Sequence, residues 1–198
     1  MKLIRNLSII TLVILTCTFL FSYVYAENRG SETYYTKVNI WYDKPNKIES
    51  TNYHKGVIIP FGTKVKNVNC VGNIIEFREE DTPGAKFKIF NIYKYSLIPA
   101  EDLLSRYFSS SDPKTDNGDF AGLSSQEKKN IEDGVIAEGM SKEAVIIAYG
   151  YPPKHRTPEL TDNVWYYWYT RTIVDQVKFS NNKVVSIERT DSAKIFGK

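Results

Sequence analysis

Val174-Asp175-Gln176-Val177-Lys178-Phe179-Ser180-Asn181-Asn182-Lys183-Val184-Val185-Ser186-Ile187-Glu188 is the stretch on which the fold turns. Two runs, Val174 to Phe179 and Val184 to Glu188, flank Ser180-Asn181-Asn182-Lys183. Asparagine tolerates the left-handed backbone of a tight hairpin, so the pattern predicts two antiparallel strands joined there. Just upstream, Val164 to Arg171 predicts a third strand with a run of rings, Trp165-Tyr166-Tyr167-Trp168-Tyr169. Side chains alternate across a strand, so Trp165, Tyr167 and Tyr169 share one face and Tyr166 and Trp168 the other. Two short helices come before these strands. Ser124 and Glu127 form a capping box ahead of an apolar stripe, Ile131, Val135 and Ile136, in a helix that Gly134 can interrupt and that Gly139 otherwise ends. Ser141 caps the second helix, with Ala144, Val145, Ile147 and Ala148 facing inward, and Gly150 stops it before Pro152-Pro153. Helix, helix, strand, strand, strand predicts an α+β sandwich.

Further upstream the rhythm changes. Residues Tyr34 to Tyr95 hold about five short strand patterns cut by Gly and Pro turns, the composition of a small barrel. Thr36 to Tyr42 alternates in part, Val57-Ile58-Ile59 ends at Pro60-Phe61-Gly62, and Gly72-Asn73 predicts a hairpin between Lys64–Asn69 and Ile74–Phe77. Pro83-Gly84 marks the next turn and Phe87 to Phe90 the next strand. This spacing, with the turn at Pro60-Phe61-Gly62-Thr63, resembles a bacterial SH3-like barrel. Pro99-Ala100-Glu101-Asp102 opens a helix with acids in its first turn, and Leu103, Leu104, Tyr107 and Phe108 would lay one face on the barrel. The organisation expected is therefore an SH3-like β-barrel with its helix over 34–108, a polar linker over 109–121 and the α+β domain over 122–190. The acids of the linker lack the alternate-residue ligands and closing glutamate of a calcium loop, so a linker is preferred to a metal site.

Four pieces in the second region fall in a recognisable order: Glu138-Gly139-Met140-Ser141-Lys142-Glu143-Ala144-Val145, Tyr149-Gly150-Tyr151-Pro152, Trp165-Tyr166-Tyr167, and Val177-Lys178-Phe179 leading to Lys183-Val184. Together they resemble the SmpA/OmlA, or BamE-like, family. The resemblance implies a two-helix layer against a three-stranded antiparallel sheet. It also implies a non-enzymatic protein of the bacterial envelope that binds other proteins, the outer-membrane assembly machinery among them.

The first residues address the chain. Lys2 and Arg5, an apolar run from Leu7 to Phe21, and Val24 and Ala26 at the positions a signal peptidase reads predict a signal peptide over 1–26 and export to the periplasm, in association with the outer membrane if the chain is lipidated. Cys17 after Val13-Ile14-Leu15-Thr16 loosely resembles a lipidation site, but Thr16 is a poor neighbour and the cysteine reads better as part of the signal core. Cleavage after Ala26 removes Lys2 and Arg5 and no acid, which takes the formal charge from +3 to +1. Such a balance gives no footprint for nucleic acid. Cys70 is then the sole thiol, so no internal disulfide can form and stability must come from packing.

Reactive constellations are scarce. Cys70 sits in a strand pattern rather than at a helix start that would lower its pKa, which favours a structural thiol over a nucleophile paired with His54 or His155. Two histidines are too few for a zinc site. Glu79-Glu80-Asp81 reads as a solvated loop tip. No catalytic residue, metal or cofactor is expected. The candidates for binding are the ring face of the third strand (Trp165, Tyr167 and Tyr169, or Tyr166 and Trp168), the loop residues His155 and Arg156, and Trp41 and Tyr42 on the barrel. Whichever ring set does not meet the helices is either covered by the barrel or open to a partner. Two functions are expected to compete: docking of envelope proteins, and peptidoglycan or peptide binding through the barrel.

Overall fold

The structure is a computed structural model that describes residues 32–51, 53–82, 84–115 and 120–197. The expected signal peptide, with Cys17, lies outside the described residues, as do positions 116–119 of the expected linker. The fold is mixed α+β, as expected at that level, with three sheets and five helices among the described residues. Eight strands come first: β1 (Tyr34–Thr36), β2 (Ile40–Tyr42), β3 (Ile48–Glu49), β4 (Val57–Ile59), β5 (Lys64–Val71), β6 (Ile74–Glu79), β7 (Phe87–Phe90) and, after helices α1 (Tyr93–Ser96) and α2 (Ala100–Tyr107), β8 (Phe108–Ser109). Six of them form a curled half-barrel in the order β3-β7-β6-β5-β1-β8. The Gly72-Asn73 hairpin is where the sequence placed it, with Val71 opposite Ile74 and Gly72 at φ 57°. Alternation in β6 turns Ile75 and Phe77 inward, where Phe77 stacks on Phe87 and leans on Phe108. With Val65, Ile89 and Leu103 they form the first core, each such side chain contributing about 1.5–3 kcal/mol on burial.

Two expectations for this region are corrected. The single strand expected over Thr36 to Tyr42 is broken, because the chain turns at Asn39 to meet the second region. The Asn39 backbone N–H donates to the Ile147 carbonyl (2.8 Å), and its side-chain amide donates to the Ile131 and Ala148 carbonyls (2.7 and 3.3 Å). Its Oδ1 accepts from the Phe61 N–H at 2.8 Å. Strand β2 therefore leaves the half-barrel and pairs with β4 in a ribbon of its own. Likewise Phe108, expected on the face of α2, instead starts β8 and pairs with Thr36, so that Ser109, expected in the linker, is in a strand.

Helices α3 (Ser125–Glu132) and α4 (Lys142–Tyr149), strands β9 (Val164–Trp168), β10 (Ile173–Ser180) and β11 (Lys183–Asp191), and a last short helix α5 (Ser192–Phe196) complete the chain. The capping box of Ser124 and Glu127 forms, and Ser141 caps α4. Helix α3 stops at Glu132, short of the expected Gly139, because Gly134 takes a left-handed backbone (φ 64°) and a side chain there would collide with Ile58 and Trp41. The three strands form one antiparallel sheet in the order β11-β10-β9, and Asn181 and Asn182 both have positive φ in the hairpin turn. Strand β9 ends at Trp168 rather than Arg171.

The second core gathers Trp165, Tyr167, Val177 and Phe179 from the sheet with Ile131, Ala144, Val145 and Ala148 from the helices. Phe61, from the turn after β4, is buried in this second core, and Ile146 packs against both. From Thr33 onward the chain forms one compact unit. Polar ties reinforce it. The Glu127 carboxylate accepts from the Ser124 and Ser141 N–H groups and pairs with Lys183 Nζ at 3.1 Å. Burial disfavours its charge, but these donors outweigh that and hold its pKa at about 2. Lys142 is buried with no ion pair among the described residues: Nζ donates to the Leu160 and Asp162 carbonyls (2.9 and 2.8 Å) and lies 5.3 Å from the centres of both the Trp165 and Phe179 rings.

Candidate functional site

The alternation of β9 divides its rings between two environments. Trp165 and Tyr167 point into the second core and are fully buried, with the Tyr167 hydroxyl donating to the Gly150 carbonyl at 3.0 Å. Tyr166 and Trp168 point the other way and stay half-buried. Rings from the last helix and from the proline-rich loop lie against this face. Phe196 of α5 leans edge-on to Tyr166 (5.0 Å between ring centres) and stacks nearly parallel to Trp168 at 5.8 Å.

Beside this outer face opens a cleft of about 630 Å³, within the size range of ligand pockets. One wall is a ladder of rings: Tyr95 of α1, His155 of the proline-rich loop, Trp168 and Phe196, each next pair 4.9, 5.2 and 5.8 Å apart. Glu49 at the end of β3, with Thr51 and Tyr53 after it, also lines the cleft. Two guanidinium groups stand at the rim. Arg156 lies 4.1 Å over the Phe196 ring, Arg171 occupies the β9–β10 turn, and neither pairs with a carboxylate among the described residues. The His155 backbone N–H and Nδ1 both lie against the Tyr95 carbonyl (3.1 and 3.2 Å), which fixes the ring within the ladder. Burial is the main cause that lowers its pKa, so at neutral pH it adds a ring and no charge.

A smaller depression of about 230 Å³ lies on the half-barrel side, lined by Trp41, Tyr42, Tyr53 and the lysines at 44, 47 and 55. Glu49 and Tyr53 line both hollows. Of the expected binding residues, the structure thus brings Trp168, His155 and Arg156 together at the cleft, with Tyr166 beneath Phe196. It places Trp41 and Tyr42 at the smaller depression and Trp165 and Tyr167 in the core. Tyr169 falls just past β9 and lies face-on to Arg189 at 3.9 Å. Tyr53, Tyr95 and Phe196 escaped the sequence reading, since each belongs to a segment distant in sequence from the strand it joins; Arg171 escaped it as well, although it follows Trp168 by three residues.

Among the described residues, Cys70, His54 and His155 lie in different surroundings. His54 comes from the half-barrel region but is buried against the second core, stacked on Tyr149 at 4.0 Å and edge-on to Tyr167 and Trp41. Nε2 lies 2.8 Å from the Tyr149 carbonyl and must donate to it, which leaves the neutral ring's Nδ1 unprotonated and without a partner among the described residues. Burial lowers its pKa to about 4, against the opposing pull of the Tyr149 carbonyl and the Asp175 charge. Asp175 itself is buried and held by a two-point Arg189 pair at 2.6 and 2.8 Å. Cys70 sits elsewhere, its Sγ 3.6 Å from the Gly72 carbonyl, and burial raises its pKa. No group of three or more His, Cys, Asp or Glu side chains among the described residues is placed to hold a metal ion. No family model, curated protein or solved structure matches this chain.

Proposed function

We propose that the chain is an exported envelope protein that works by docking other macromolecules, with the Trp168 cleft as its docking site. In this reading the two-helix, three-strand layer is of the BamE-like type, the curled sheet is an SH3-like barrel, and the partner is another envelope protein such as the outer-membrane assembly machinery. One observation carries it: a half-exposed ladder of rings beside two guanidinium groups that pair with no carboxylate among the described residues. Aromatic and arginine side chains supply most of the energy at protein interfaces, and here they stand where water can be displaced. The test is site-specific photocrosslinking in intact cells with a benzophenone side chain at Tyr53 and, as control, at Lys86. Crosslinks to discrete envelope proteins from position 53 alone are expected. Equal labelling from both positions, or none at all, would refute the docking reading.

A second reading is favoured by the smaller depression, where Trp41, Tyr42 and Tyr53 lie among lysines. It is a cell-wall site on the barrel. Purified peptidoglycan should then pellet the whole protein but not a variant carrying Lys44→Glu and Lys47→Glu. Pelleting of both proteins alike would remove this alternative.

A further inference from the structure

We infer that the Trp168 cleft receives an extended acidic peptide segment bearing aromatic side chains. This rests on the docking reading above and names the ligand of the same site. Three observations support it. The first is charge. Arg156 and Arg171 at the cleft, with Lys94 beside Tyr95, face a single acid, Glu49, whose carboxylate lies 3.5 Å from the Thr51 hydroxyl. An acidic ligand is the complementary partner, and it would be steered in by this excess of positive charge.

The second is extent. The cleft does not end at Glu49: a further hollow of about 450 Å³, lined by Lys44, Asn46, Lys47, Glu49, Phe90 and Ile92, shares Glu49 and Ile92 with it. Together they make a continuous run of basic, partly apolar surface from Arg171 to Lys44, longer than a compact small molecule would use.

The third is the manner in which rings are held. Phe196 lies parallel to the Trp168 indole within 10° and has the Arg156 guanidinium 4.1 Å from its ring centre. No residue of its helix α5 is buried, so the ring contacts are the helix's main attachment to this wall. A short peptide segment of this very chain thus displays the seat: a phenyl ring in contact with an indole and a cation. His155 and Tyr95 continue the ladder on from Trp168, away from Phe196, and offer the same kind of surface to a ring from outside. A phenyl ring held by peptide backbone is what the wall already accommodates, and this favours a peptide over a glycan.

The test is an NMR titration of the full mature chain, labelled with nitrogen-15. Three capped peptides are compared: an acidic one with two phenylalanines, its counterpart with every acid replaced by lysine, and the acidic one with serine for phenylalanine. The acidic aromatic peptide should shift the Trp168 indole N–H and the Arg171 and Lys47 amides. Its affinity should fall at least tenfold in the Arg156→Gln, Arg171→Gln double variant, whose exposed positions leave the fold intact, and fall again at high salt. The other two peptides should bind at least tenfold more weakly. Equal binding of the lysine peptide would overturn the inference, as would the absence of any shift. Glycan strands stripped of stem peptides, titrated in parallel, give a separate result. Shifts at Trp168 from the glycan but not from the acidic peptide overturn the peptide ligand and leave the site standing, whereas the crosslinking experiment judges the site itself.

Discussion

Lowering the pH should loosen the contact at which the half-barrel meets the second core, through His54. In the folded chain its imidazole is 3 % exposed and its pKa is about 4, against 6.5 for a free side chain. The folded pKa lies below the unfolded one, so at neutral pH the ring is uncharged in both states and its contribution is fully present. As pH falls below about 6.5 the unfolded chain binds a proton that the folded chain refuses until about pH 4. Stability therefore declines across that window and levels off, for this group, below it. The difference corresponds to roughly 3 kcal/mol, or roughly 10 °C in Tm for a chain of this size. His155 titrates in the same direction, whereas Glu127, held at about 2, makes its loss only below about pH 4.5. Between pH 6.5 and 4.5 the histidines are thus the groups to watch. Urea unfolding followed by tryptophan fluorescence at closely spaced pH values measures the slope. His54→Gln keeps a donor for the Tyr149 carbonyl and removes its titration, so its stability should fall clearly less steeply than the parent chain's, with His155 still contributing to the slope. Parallel curves for the two proteins would refute the reasoning.

Two further perturbations test the polar ties. Asn39→Ala removes two donated bonds and one accepted bond in a buried place; the Ile131 carbonyl keeps the Gly134 N–H but the Phe61 N–H loses its acceptor, so a loss of about 2–3 kcal/mol is expected from urea unfolding. Lys142→Met keeps the apolar stem but strips the Leu160 and Asp162 carbonyls of their donor, which should cost about 2 kcal/mol and raise amide exchange around residues 160–162.

Local signals in the sequence proved sufficient wherever the structure is local. The asparagine turn at 181 and 182, the glycine turn at 72 and both serine caps depend on a few neighbouring residues, and all are found. Boundaries set by distant partners were not legible. Asn39 breaks a strand pattern because three of its hydrogen bonds end on residues 131, 147 and 148, more than ninety positions away. Gly134 ends α3 where Ile58 and Trp41 approach, and nothing in the periodicity of that helix announces them. The site follows the same rule. Trp168, His155 and Arg156 could be singled out because aromatic and cationic side chains clustered within one segment, but Tyr53, Tyr95 and Phe196 join them only through the tertiary fold.

Strand β9 carries tryptophan on both faces, and the two should respond to substitution in opposite ways. Trp165 is fully buried, and its Nε1–H has no partner among the described residues. An unsatisfied buried donor costs about 1–3 kcal/mol. Trp165→Phe relieves that cost while opening a space of a few tens of Å³, worth about 1 kcal/mol at about 24 cal/mol per Å³. The Lys142 ammonium keeps the Phe179 ring in place of the lost indole. Stability should accordingly stay within about 1 kcal/mol of the parent chain, and partner capture at the cleft should be unchanged. Trp168→Ala, by contrast, removes a half-exposed ring from the ladder, so the fold should survive while crosslinking from position 53 falls away. A Trp165→Phe chain that lost more than about 3 kcal/mol would show that the indole has a polar role inside the core. A Trp168→Ala chain that still captured its partners would place the docking surface elsewhere.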